Sequence, residues 1–124
     1  MKEKIIYLEA GNEKYPLAFN VNVMEEIQNE YGSISRWGSI VENKDSAESE
    51  PKIKDLKVGM LFMVNEGIEI ENEKSETKRE LLNSKQLGRL LSKIGLKEVI
   101  EKIKEVSINS TTVEDVEDDN LKNE

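Results

Sequence analysis

The residues that carry charge are the only ones here with chemistry to offer. The chain has 124 residues, of which 26 are Asp or Glu and 18 are Lys or Arg, for a net charge of −8. Glu25 and Glu26 are adjacent, and Glu69 and Glu71 stand two apart. Either pair would serve general acid–base work only if burial raised one pKa above the other, and their polar surroundings predict solvated faces instead. Histidine is absent, so no imidazole is offered for proton transfer at neutral pH or for metal ligation. Cysteine is absent too, which removes thiol nucleophiles, zinc–thiolate sites, iron–sulfur clusters and disulfides.

A serine nucleophile would then need a lysine base, and no Ser-x-x-Lys falls in an apolar setting; Ser33 and Ser92 do not match that spacing. Gly88 and Gly95 lie in amphipathic context and no Gly-Lys-Ser/Thr occurs, so no phosphate loop is predicted. The acidic C-terminal run lacks the central glycine of a calcium loop. The expectation is a protein without catalytic, metal or cofactor sites. The negative balance also argues against nucleic acid as a partner. No apolar run approaches the roughly 20 residues that span a bilayer, and the start, Met1 to Lys4, does not read as a signal peptide. A soluble, cytoplasmic protein is expected, with binding to other proteins as its work.

The elements follow from periodicity. Residues 3–9 and Tyr15 to Phe19, separated by Gly11 and Asn12, predict a β-hairpin whose second strand holds Pro16 and so sits at an edge. Asn22 with Glu25 has the form of a helix start, and Val23, Ile27 and Tyr31 continue a stripe that Gly32 ends. Ile34, Trp37, Ile40 and Val41 predict a short second helix. Residues 43–52 have no periodicity and read as a loop.

The most apolar stretch comes next. Ile53, Leu56, Met60, Met63 and Val64 form one face, with Val58, Leu61 and Phe62 on the flanks. A helix apolar nearly all round is either central to the core or covered by a partner. On that reasoning Met60, Phe62 and Met63 are candidate partner-binding residues. Trp37, the single tryptophan, joins them because tryptophan is enriched at interface hot spots. An under-buried 58–64 helix would also permit self-association.

Residues 69–80 read as a second loop, with Thr77 to Glu80 capping a turn that includes Leu81 and Leu82. Asn83 with Gln86 is a helix start; Leu87, Leu90, Leu91 and Ile94 form its stripe, and Gly95 its stop. Leu96, Val99, Ile100, Ile103 and Val106 form the last stripe, with Glu98 and Lys102 spaced for an ion pair. Gly95 alone between two such helices implies a hairpin or tight corner. Residues 110–124 carry −5 of the net charge and too few apolar side chains to bury, which predicts a disordered acidic tail. The predicted fold is mainly α: a small N-terminal β-hairpin packed on four or five short helices in one domain, 1–109, followed by the tail, 110–124.

This order of elements, with Leu17-Ala-Phe19-Asn20 entering the first helix, Tyr31-Gly32 ending it, Lys57 to Val64 at the centre and Leu82 to Gly95 before the last helix, resembles the small tail assembly chaperones of long-tailed bacteriophages and prophages. The resemblance covers about residues 3–109 and lies in a pattern of apolar positions and helix stops. It implies binding to the tape measure protein and recruitment of tail tube subunits during tail morphogenesis. It further implies action in the host cytoplasm, absence from the mature virion, and in many such phages a longer frameshifted product. Two other readings fit the residues: a small tail or head-completion structural or adaptor protein, and an acidic regulator that binds one bacterial protein.

Overall fold

The computed structural model describes residues 5–42 and 52–106. The chain is mainly helical with an N-terminal two-stranded antiparallel hairpin, as the periodicities predict. Strand β1 (Ile5–Ala10) turns Ile6 and Leu8 inward and Tyr7 and Glu9 outward. Strand β2 (Glu13–Ala18) pairs with it from Ile5 opposite Ala18 to Ala10 opposite Glu13, which leaves Gly11 and Asn12 as the turn. A two-stranded sheet is marginal by itself. It gains stability here from a helix laid across β2.

Helix α1 (Val21–Tyr31) begins two residues earlier than Asn22 predicts. Both Asn20 and Asn22 have the chemistry of a cap, and Asn20 takes the role: its side chain accepts the Val23 N–H at 3.2 Å. Asn22 lies inside the helix. Helix α2 (Ile34–Glu42) follows, with Ser33 Oγ accepting the Arg36 N–H at 3.0 Å. Residues 43–51, most of the predicted first loop, lie outside the described residues.

Helix α3 (Ile53–Lys74) is the axis of the molecule, and it is ten residues longer than its apolar run. The predicted loop at 69–80 therefore begins only at Ser75. The polar second half of α3 is helical because tertiary contacts hold it. Gly67 lies against β2 so closely that a Cβ there would stand 2.8 Å from the Pro16 carbonyl oxygen. Ile68 is buried beside it, and Glu71 accepts the Tyr7 hydroxyl at 2.7 Å. Leu56, Met60, Met63 and Val64 occupy the core with Leu8, Leu17, Val23, Ile27 and Leu87.

After a bend at Glu76 and Thr77, the segment from Lys78 to Asn83 returns along α3 without the expected turn. Asn72 and Asn65 hold it. Asn72 Oδ1 accepts the Arg79 N–H at 2.9 Å while its Nδ2 donates to the Arg79 carbonyl at 2.9 Å. Asn65 does the same for Leu82, at 2.8 Å and 3.0 Å. Two helical turns rise about 10.5 Å. Three extended residues span about 10 Å. The two amides thus meet the two backbone sites in register, as neighbouring strands would. Arg79 also donates to the Lys14 carbonyl at 2.9 Å, with its guanidinium 4.7 Å from the Tyr15 ring centroid.

Helix α4 (Ser84–Ile94) starts on the predicted capping box of Asn83 and Gln86. Gly95, at φ +100°, makes a corner into the helix at residues 96–106, here α5. Leu87, Leu90, Leu91, Val99, Ile103 and Val106 are buried as their stripes predict; Leu96 is exposed. Lys102 pairs with Glu105, at 3.9 Å, and not with Glu98. The acidic run from residue 110 onward lies outside the described residues. Among the described residues no helix is long and apolar enough to cross a membrane.

A groove along the central helix

The core claims most of the apolar surface of α3 and sets the remainder on one face. Trp37, Met60 and Met63, three of the candidate contact residues, are interior, at 4%, 0% and 0% exposure. Met60 and Met63 are closed off by the core, while the edge of Trp37 lines a separate apolar cleft with Ile34, Val41, Leu56, Ile100 and Ile103. The reason is local. Gly59 leaves a notch in α3 that the Trp37 indole fills, and Trp37 Nε1 donates to the Asp55 carbonyl at 2.8 Å. Met60 and Met63 face the hairpin side of the same helix and pack into the main core. Phe62 is different: it is half-buried on the opposite flank with Leu61 and Val58.

Leu61 and Phe62 line two adjoining clefts. The first, about 430 Å³, lies between α1 and α3 and has Val23 in its floor. Its remaining walls are Asn22, Glu25, Glu26, Asn65, Glu66 and Glu69. The second, about 470 Å³, runs between the start of α3 and the N-terminus of α4, lined by Ile53, Lys54, Lys57, Val58 and Ser84. Together they make one groove on α3 with an apolar floor, carboxylates at one end and two lysines at the other. Ile53 is 42% exposed at the lysine end.

The charged walls are built differently. Glu66 is held in place: Asn20 and Asn22 both donate to its Oε2, at 2.8 Å and 2.9 Å. Glu25, Glu26 and Glu69 are exposed. Of the two carboxylate pairs, Glu25 and Glu26 both line the first cleft from exposed positions, whereas Glu69 faces the groove and Glu71 is engaged by Tyr7 on the hairpin side. Residue periodicity locates Leu61 and Phe62. It does not find Glu66, because its meaning depends on two asparagines some 44 and 46 positions earlier in the chain.

Two tyrosines have altered acidity. Burial, followed by the hydroxyl's 2.7 Å hydrogen bond to Asp55 Oδ1, raises the pKa of Tyr31 well above its ordinary value. The bond from Tyr7 to Glu71, with burial second, raises Tyr7. The two bonds tie β1 and α1 to opposite ends of α3. Among the described residues no group of three or more carboxylates gathers as a metal site.

The chain matches no protein-family model, and no curated protein or solved structure matches it.

Proposed function

We propose that the protein is a tail assembly chaperone that binds apolar helical stretches of a tape measure protein and helps recruit tail tube subunits. The observation that carries this reading is the α3 groove, where Leu61, Phe62, Val58 and Ile53 keep apolar surface open beside a full core. The pattern of elements along residues 3–109, which resembles that of such chaperones, supports the same reading. A holding chaperone needs an apolar face to capture its client and a charged body to keep the complex dissolved, and a net charge of −8 provides the second.

On this account the protein works by binding and not by catalysis. It acts in the host cytoplasm and leaves before the virion matures. The tape measure protein is long and helical, so one client would take up many copies of the chain. Phe62 is the contact residue retained from the sequence reading; Trp37, Met60 and Met63 hold α3 in the core on its other faces.

The test is co-expression with the long, helix-rich protein encoded just downstream, followed by purification and measurement of the mass ratio. A soluble complex with many chains per client is expected. A client that stays insoluble and unbound overturns the reading and turns attention to a virion component or a single-target regulator.

A further inference from the structure

We propose that the α3 groove is a receptor for a basic amphipathic helix, whose apolar stripe lies on Leu61 and Phe62 and whose lysines or arginines face Glu25, Glu26, Glu66 and Glu69. This rests on the reading above and names the chemistry of the client segment at the groove.

Three observations converge on that occupant. The first is the shape and chemistry of the floor. Val58, Leu61 and Phe62 recur at helical spacing, and from Ile53 to Glu69 the groove follows about 24 Å of α3, the length of a helix of about 16 residues. Its walls are the helices α1, α3 and α4, which present no strand edge to a bound segment. An extended peptide would find no sheet edge there to satisfy its own N–H and C=O groups. A helix satisfies them internally, and so suits a groove of this kind.

The second is charge. Four carboxylates line the cleft between α1 and α3, and no lysine or arginine lines it. Among the described residues none of the four forms an ion pair, although the chain has 15 lysines. Like charges facing across an apolar floor repel each other, and a cation brought by a partner relieves that repulsion. Lysine and arginine also lay their aliphatic stems on apolar surface while the head stays wet, which fits the half-buried ring of Phe62 beneath a carboxylate rim.

The third is the built anchor. The Asn20 and Asn22 amides fix the Glu66 carboxylate through Oε2 alone, and among the described residues Oε1 accepts no side-chain donor. A carboxylate held in position in the wall of the cleft, beside Leu61 and Phe62, is suited to receive a charged N–H. At the far end Lys54 and Lys57 give the groove the opposite sign, with Lys57 Nζ reaching over Gly88 of α4. The groove is therefore polar along its length and sets the direction of the bound helix: basic end at α1, uncharged or acidic end at α4.

The experiment uses the full chain and two labelled peptides of about 18 residues with the same leucine stripe. One carries lysine beside the stripe in its first half and glutamine in its second; the other replaces each lysine with glutamate. Fluorescence anisotropy is expected to give affinity at least about tenfold tighter for the lysine peptide, weakening as salt rises. The variant E25Q/E26Q/E69Q, altered only at exposed positions, should keep its thermal midpoint, lose about tenfold in affinity and lose most of the salt dependence. Equal binding of both peptides, binding of neither, or unchanged affinity in the variant overturns the proposal. Any of these leaves a co-purifying tape measure protein to be held elsewhere on the chain. A clear lysine preference with no co-purification would retire the tape measure reading alone.

Discussion

The Trp37 indole stands where the side chain of residue 59 would be. A Cβ built on Gly59 would fall 2.2 Å from Trp37 Cζ2, far inside van der Waals contact. This single fit locks α2 onto α3, and the Nε1 bond to the Asp55 carbonyl sets the ring's angle. It also settles where the tryptophan's surface goes, which is into the core.

Gly59→Ala should therefore destabilise the protein although alanine is the better helix former. The overpacking costs about 1–3 kcal/mol or more. The gain in helix propensity is about 1 kcal/mol. We expect a net loss of stability, read as a lower midpoint in thermal unfolding followed by the fluorescence of the single tryptophan. A midpoint that rises would mean that α2 is not seated on α3 in this way.

The two asparagine clamps should contribute separately. Asn65→Ala removes both bonds to Leu82 at a partly buried site and should cost about 1–3 kcal/mol. Asn72→Ala acts at an exposed site and should cost about 0.5–1.5 kcal/mol. Urea unfolding of both variants, with amide exchange of Arg79 and Leu82, checks the pair. Faster exchange at Leu82 in the first variant and at Arg79 in the second is the expected pattern.

Alkaline stability should depend on Tyr31. Its pKa is higher in the folded protein than in the unfolded chain, where tyrosine ionises near pH 10. Below that pH the hydroxyl is neutral in both states and its contribution is complete. Above it the unfolded chain releases the proton first, so stability falls as pH rises. Tyr7 acts in the same direction from a more exposed position. Tyr31→Phe should be less stable at neutral pH, through loss of the bond to Asp55, and should show a shallower decline above about pH 10. An unchanged alkaline slope would place the proton's influence elsewhere.

Much of this fold is legible in the residue types. The hairpin, α2, the capping box at Asn83 and the corner at Gly95 all follow from local signals that stand close together in the chain. The signals that fail are those whose meaning is set at a distance. Gly59 and Gly67 resemble helix breakers, yet each marks a place where another element presses against α3. The charged run after Glu69 resembles a loop, yet Glu71 and Asn72 are partners of Tyr7 and Arg79. Asn20 and Asn22 compete for one cap, and the one that loses it helps position Glu66. The candidate site shows the same division. The flank of Leu61 and Phe62 follows from periodicity, whereas its acidic wall requires α1 and α3 to be laid side by side.

Phe62 offers the most direct test of the groove as the working surface. The variant Phe62→Glu and the wild-type chain should each be co-expressed with the long downstream protein and purified in parallel. The variant should still fold cooperatively but with a lower thermal midpoint, since Phe62 packs half-buried on the core beside other carboxylates, so the comparison is made below that midpoint. The account predicts a soluble, multi-copy complex with wild type and loss of that complex with the variant. A complex that survives with the same stoichiometry would contradict it.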